Sequence, residues 1–335
     1  MSEGARALWR SSALWLIAIL AVVVALLGWG IRDFRSPGPL AQAKTIVIPK
    51  GSTLDQVAGD LAEAGVIDHP WVFIAGVHLT GNADALKAGE YDIAANISPT
   101  LLIELLRSGK VVRHKLTIAE GLTSAQVVAL VQAAPLLAGD LAFRPAEGSL
   151  LPQTYFYTYG EQRQELIAQM GHAMDEVLTK EWAARKPGLP LANAQQALIL
   201  ASIVEKETAK PEERARIAGV YIERLRQGMK LQADPTVTYA VTNGGTVPLA
   251  HPLDRADLAI VSPYNTYLNA GLPPTPIANP GLASLHATVD PDERGELYFV
   301  ADGSGGHNFS KSFVEHVKNV LKYRVFQSHT KSATP

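Results

Sequence analysis

The 335-residue chain carries 30 Lys and Arg against 32 Asp and Glu, a net charge of −2 that sets up no field to gather a polyanion, so no nucleic acid partner is expected. It has no cysteine. That removes disulfides, thiolate nucleophiles, cysteine-ligated zinc and a lipid-modified cysteine anchor together, while the length favours two domains over one.

The first feature along the chain is an apolar run. Residues 13–31 (ALWLIAILAVVVALLGWGI) carry no charge, and 19 residues at about 1.5 Å each reach roughly 28 Å, close to the thickness of a bilayer's hydrocarbon core. The run is longer than the apolar region of a cleaved signal peptide, and the nearest Ala-x-Ala, Ala41-Gln42-Ala43, lies well beyond its end. We read it as one transmembrane helix, with Trp15 and Trp29 near its two ends and residues 1–12 as a short tail. Its orientation is not fixed by charge, because Arg6 and Arg10 on one side balance Arg32 and Arg35 on the other.

Residues 32–43, with Ser36-Pro37-Gly38-Pro39, read as an extended stalk. Residues 44–110 then form a small α+β module. Thr45–Pro49 reads as a strand, and Gly51 turns the chain into a helix that Ser52 or Thr53 can cap. Further helices are expected from about Trp71 and over Pro99–Arg107, separated by an extended piece at Leu86–Ile93, with Gly109 as the last helix's stop. The strand, Pro-x-Gly-x-Thr turn and helix of Ile48–Leu61 resemble a LysM-type peptidoglycan-binding unit.

A larger α+β domain, residues 111–325, opens with a strand at VVRHKLTI and a helix over Ser124–Val131. Helices are expected at Glu161–Arg185, Asn193–Lys206 and Glu212–Arg226. Beyond Gly228, short extended pieces, notably Thr236–Val241 and Leu297–Ala301, alternate with Pro- and Gly-rich loops up to a last helix near Lys311–Tyr323. Residues 326–335 read as a tail.

The helix NAQQALILASIVEKETA carries Leu200, Ile203 and Val204 on one stripe, and Glu207 falls on it while Glu205 lies roughly 160° away. A carboxyl losing hydration at a helix end holds its proton toward neutral pH, as a general acid must. Periodicity alone does not separate this from an ordinary solvated glutamate. Downstream come Leu231-Gln-Ala-Asp-Pro-Thr-Val-Thr-Tyr239, Ser262-Pro-Tyr-Asn-Thr-Tyr267, Gly271-Leu-Pro-Pro-Thr-Pro-Ile277, Asn279-Pro-Gly281 and Tyr298-Phe-Val-Ala-Asp-Gly-Ser-Gly-Gly-His-Asn-Phe309.

With Ala201-Ser-Ile-Val-Glu-Lys-Glu-Thr208, these six motifs in order resemble the YceG-like (MltG) family of endolytic murein transglycosylases, from about Lys44 to Tyr323. The resemblance implies a YceG-like catalytic domain on the periplasmic side of the inner membrane and a single span, which places the tail of residues 1–12 in the cytoplasm. It implies peptidoglycan glycan strands as substrate, no cofactor, and partnership with peptidoglycan synthases as a terminator of chain growth. It also selects the acid/base: lytic transglycosylases carry their catalytic Glu directly before Ser or Thr, which Glu207-Thr208 matches and Glu205-Lys206 does not. Glu205 is left as a secondary candidate that orients a neighbour or forms a surface charge.

Tyr264, Asn265, Thr266 and Tyr267 offer ring faces and hydrogen-bonding groups for a sugar groove, and Gln232, Asp234 and Thr236 are expected in the same groove. His307 and Phe309 are expected to be set by the tight glycine loop before them. Glu147, in Glu147-Gly-Ser-Leu-Leu-Pro-Gln-Thr-Tyr155, is expected to line the cleft; Gln153 stands where the family usually has Asp, so no titrating group acts there. The nine histidines show no His-Glu-x-x-His spacing and no metal is expected. Two other readings stay open: a hydrolytic muramidase pairing Glu207 with Asp234, and a membrane-anchored peptidoglycan-binding protein without activity.

Overall fold

The computed structural model describes residues 3–81 and 85–332. Helix α1 (Glu3–Arg35) contains an apolar segment, Leu14–Arg35, long enough to cross a bilayer. It extends past the expected span at both ends. Residues Arg32–Arg35 are therefore helical, and the stalk does not run from 32 to 43. Helix α1 stops at Ser36 because Pro37 disfavours a helical residue before it. The Ser36 hydroxyl donates to the Arg32 carbonyl at 2.7 Å. The following segment is not free either: Leu40 is buried, Gly38 N–H donates to Ile97 O at 3.1 Å, and Asn96 N–H donates to Leu40 O at 2.8 Å.

The chain divides into two compact units, one reaching His114 and including Thr158–Gly160, the other comprising Lys115–Tyr157 and the chain from Glu161. The first continues with β1 (Lys44–Ile48), α2 (Leu54–Glu63), α3 (Pro70–Leu79), β2 (Gly89–Ile93) and α4 (Pro99–Ser108). Strands β1 and β2 pair antiparallel from Lys44 opposite Ile93 to Ile48 opposite Gly89. Thr53 closes a capping box with Gln56, supplying partners for N–H groups that a helix start leaves free. Alternation in the strands turns Ile46, Ile48, Tyr91 and Ile93 inward onto Leu61, Phe73, Leu102 and Leu106. Gly109, at φ +66°, ends α4.

The second unit contains α5 (Ser124–Ala133), α6 (Arg163–Ala183), α7 (Ala194–Glu207), α8 (Pro211–Arg226), α9 (Asp234–Val241), α10 (Leu282–Val289) and α11 (Phe313–Ser332). Strand β3 (His114–Thr117) pairs with β4 (Thr154–Tyr157), and β5 (Tyr298–Ala301) with β6 (His307–Ser310). Two expectations fail here. Thr236–Val241 is helical rather than extended, because Asp234-Pro235 starts a helix and tertiary contact overrides the β-branched composition. Helix α11 runs through the supposed tail from 326 as far as Ser332.

Helix α7 is the centre of this unit. It packs against α6, α8, α9 and α10, and every residue from Ala197 to Val204 is buried. Since apolar residues cover it all round, the stripe on which Glu207 was placed does not distinguish one face from another.

Candidate active site

Glu207 is the last residue of α7, before Thr208 leaves the helix in an extended conformation. The C-terminal end of a helix carries partial negative charge, so a carboxylate there gains nothing from the helix. Its side chain is half-buried between α7, α8 and α9, and Oε1 accepts the Tyr221 hydroxyl at 2.5 Å. Burial is the main cause that pushes the Glu207 pKa up to about 7; the Tyr221 bond opposes it, the Asp234 carboxylate adds to it, and the Arg224 guanidinium opposes it. Tyr221, buried and facing that carboxylate, is pushed well above its ordinary value and keeps its proton.

Tyr221 and Arg224 stand beside Glu207, and neither was expected there from the sequence. Ile217, Tyr221 and Arg224 follow at four and three on the buried face of α8, so a tyrosine and an arginine on an otherwise apolar face were the available signal. Arg224 is itself buried and donates to the carbonyls of Leu297 at 2.6 Å and Leu231 at 2.7 Å. It thereby ties the approach to β5 to the segment leading into α9.

Of the expected groove residues, Asp234 and Tyr267 come to Glu207. Asp234 is exposed in the first turn of α9 and accepts the Tyr267 hydroxyl at 2.6 Å, and burial with that carboxylate raises the tyrosine's pKa. Gln232, exposed at φ +52°, sits just before. Thr236, Asn265 and Thr266 are instead buried with protein partners. The Thr236 and Thr266 hydroxyls are 2.9 Å apart, and Thr266 Oγ1 accepts the Ala233 N–H at 3.0 Å. Asn265 Nδ2 donates to Leu258 O and Ile260 O, while its Oδ1 accepts Tyr267 N–H at 2.9 Å. These three hold the two loops that present Asp234 and Tyr267.

Glu147 and Tyr264 belong to a pocket of about 480 Å³ that is also lined by Arg144, Tyr239, Asn243 and Thr275; Glu207 is not among its lining residues. Glu147 accepts Ser124 N–H at 2.7 Å and the Tyr239 hydroxyl at 3.1 Å, and burial raises its pKa. The Tyr239 and Tyr264 rings lie 4.9 Å apart, and the Tyr264 hydroxyl reaches Thr275 Oγ1 at 2.8 Å.

Phe309 departs from the expected groove, while His307 is held by Glu213. Phe309 is buried in the core beneath the Arg216 guanidinium, 3.9 Å from the ring centroid, because alternation along β6 turns it inward. His307 Nδ1 lies 2.7 Å from Glu213, which also accepts the His307 N–H.

Glu205 is no surface charge. Its side chain is 7% exposed, it accepts the Gly281 N–H at 3.0 Å, and Arg214 stands 3.9 Å away. Both glutamates of α7 are thus shielded, and their partners rather than helical phase tell them apart. The Asn279-Pro-Gly281 motif has a related role, with Asn279 Oδ1 accepting Leu150 N–H at 2.9 Å and Nδ2 donating to Leu122 O. Among the described residues, one trio with metal-ligand potential is His251, Asp254 and Asp257, an exposed loop whose carboxylates already accept that loop's own N–H groups.

The sequence model of the YceG-like family matches residues 46–322. Two endolytic murein transglycosylases are each 30% identical to the chain, one from Streptococcus pneumoniae serotype 2 (strain D39) over 323 residues, the other from Bacillus subtilis (strain 168) over 314. Both alignments cover 83% of this chain, but they span 58% of the pneumococcal protein and 84% of the Bacillus one. A crystal structure of a putative yceG-like protein from Listeria monocytogenes superposes with a TM-score of 0.51 at 29% identity, covering 83% of this chain and 99% of that one.

Proposed function

Because the chain belongs to the YceG-like family, we propose that it is a membrane-anchored endolytic transglycosylase of peptidoglycan with Glu207 as its acid and base. The observation that carries this reading is a single carboxyl raised to about 7 and fixed by Tyr221. A group titrating near the working pH can give a proton and then take one back.

In the first step, Glu207 protonates the glycosidic oxygen leaving C1 of the N-acetylmuramic acid residue, and the C1–O bond breaks. In the second, the C6 hydroxyl of the same sugar closes on C1 and its proton passes to the Glu207 carboxylate. The product is a 1,6-anhydro end, no water is consumed, and the carboxyl returns to its starting state. Asp234 and Tyr267 present polar groups beside the acid, and the pocket of Glu147, Tyr239 and Tyr264 offers ring faces to neighbouring sugars.

Proximity of Asp234 favours one rival, a muramidase in which two carboxylates cooperate through water. Mass spectrometry of digested glycan separates the two. The proposal expects anhydro ends, about 18 Da lighter than reducing ends, whereas incorporation of heavy-oxygen water at C1 would establish hydrolysis. Glu207→Gln should lower cleavage by roughly a thousandfold while leaving the fold intact; unchanged cleavage would remove Glu207 from the chemistry and leave the wall-binding reading.

We place the catalytic unit in the periplasm beyond a single inner-membrane span, where its substrate is, and assign nascent glycan strands and the synthases that make them as partners. The β1-α2-α3-β2 order supports reading the small module as a LysM-like glycan-binding unit.

A further inference from the structure

Helix α3 has ten residues and no Asp, Glu, Lys or Arg. Its inward face is Val72, Phe73, Gly76 and Val77. That leaves Trp71, Ala75 and Leu79 at steps of four along the outer face, with Trp71 56% and Leu79 88% exposed. An outer stripe facing water would ordinarily carry charged side chains. This one carries a tryptophan and a leucine.

The stripe is joined to the apolar segment of α1. The Trp71 ring stacks on Trp29 with centroids 5.6 Å apart, and His69 meets the Trp29 ring edge-on and the Asp33 carboxylate at 3.2 Å. At Gly76 the two helices touch: a β-carbon there would lie 2.0 Å from the Phe34 ring, so any larger residue has to displace that ring. Between the helices runs a groove of about 350 Å³, lined by Leu26, Leu27, Ile31, Trp71, Ala75 and Leu79. Leu26 and Leu27 lie inside the 22-residue membrane-length segment. Whatever surrounds them therefore also surrounds the groove.

We propose that the outer face of α3 and the groove beside α1 are a lipid-binding surface, immersed in the leaflet where α1 emerges, with acyl chains of bilayer lipids as its occupant. The argument is continuity with the span, so it rests on α1 crossing the membrane and not on the reaction at Glu207. A tryptophan at the mouth of such a surface suits the headgroup boundary, where amphipathic rings concentrate. The small module is then held in the interface by its own helix as well as by the span.

Because the chain has no cysteine, single cysteines report uniquely. The full chain carrying L79C, V23C in the span or E63C on the exposed side of α2 is spin-labelled in vesicles of phosphatidylethanolamine and phosphatidylglycerol. Collision with dissolved oxygen is then compared with collision with a water-soluble nickel chelate. The expected result is oxygen exposure and nickel exclusion at positions 79 and 23, and the reverse at 63. Nickel access at 79 with lipid-like behaviour at 23 overturns this proposal alone, whereas nickel access at 23 overturns the span and the proposal with it. Exclusion of both reagents at 79 with dipolar broadening between labels means a second copy covers the face, which also overturns it. A75C, one turn away, gives the same reading if the label at 79 disturbs packing.

Discussion

In the proposed reaction Glu207 releases a proton and recovers it, and the side chain hydrogen-bonded to its carboxyl is Tyr221. Its hydroxyl stabilises the carboxylate form, against burial, which raises the pKa. In Tyr221→Phe the opposing effect is gone, so the Glu207 pKa moves further up. Cleavage needs the protonated form and is lost as pH rises through that value; the alkaline limb of the rate profile should shift from near 7 to higher pH. The rate at its optimum should fall about tenfold as the carboxyl loses its fixed direction. A pH–rate profile of the variant beside the wild type measures both. Glu205 behaves differently, since its partners are Gly281 N–H and Arg214. Glu205→Gln keeps an acceptor for the N–H and loses the ion pair, so it should cost about 1–2 kcal/mol in urea unfolding and leave the pH profile in place.

At the level of elements, the site depends on how closely α8 approaches the loop before β5. Gly219, two residues before Tyr221, would place a β-carbon 2.3 Å from the Asp292 carbonyl oxygen. Alanine is the better helix former by about 1 kcal/mol. The clash is with backbone, which cannot rotate aside, and overpacking of this kind costs about 1–3 kcal/mol. Gly219→Ala is therefore expected to lower the melting temperature and, by moving α8, to reduce cleavage as well. A stabilised variant with full activity would mean that the loop yields. Elsewhere in the site, buried Thr236, Asn265 and Thr266 fix to one another the segments that carry Asp234 and Tyr267.

For the whole chain, the raised carboxyl has a cost that depends on pH. Glu207 titrates near 4.5 when unfolded and near 7 when folded, so between those values the folded chain holds a proton that the unfolded chain releases. The stabilisation is complete below about 4.5 and is lost as pH rises through 7, amounting to about 3 kcal/mol. Glu147 and Glu120 are shifted in the same direction, while Glu223 and Asp292 are lowered and lose stability toward acid. Stability measured by urea at pH 5 and pH 8 should fall between them. Glu207→Gln should narrow that difference, and an unchanged difference would mean that Glu207 is not shielded in the folded chain.

The apolar run in α1, the capped helix starts and the six motifs around Glu207 were legible in the sequence, because hydropathy, capping and local motif spacing are properties of neighbouring residues. Which polar residues face a cleft was not legible. Thr236 is buried against Thr266, thirty residues on, Phe309 lies under Arg216 of α8, and Thr236–Val241 is helical despite a composition that suits a strand. Only the packed chain brings Tyr221 of α8 onto the last residue of α7. The pKa of Glu207 is decided there, since desolvation depends on what closes over the carboxyl and not on the residues beside it in the chain.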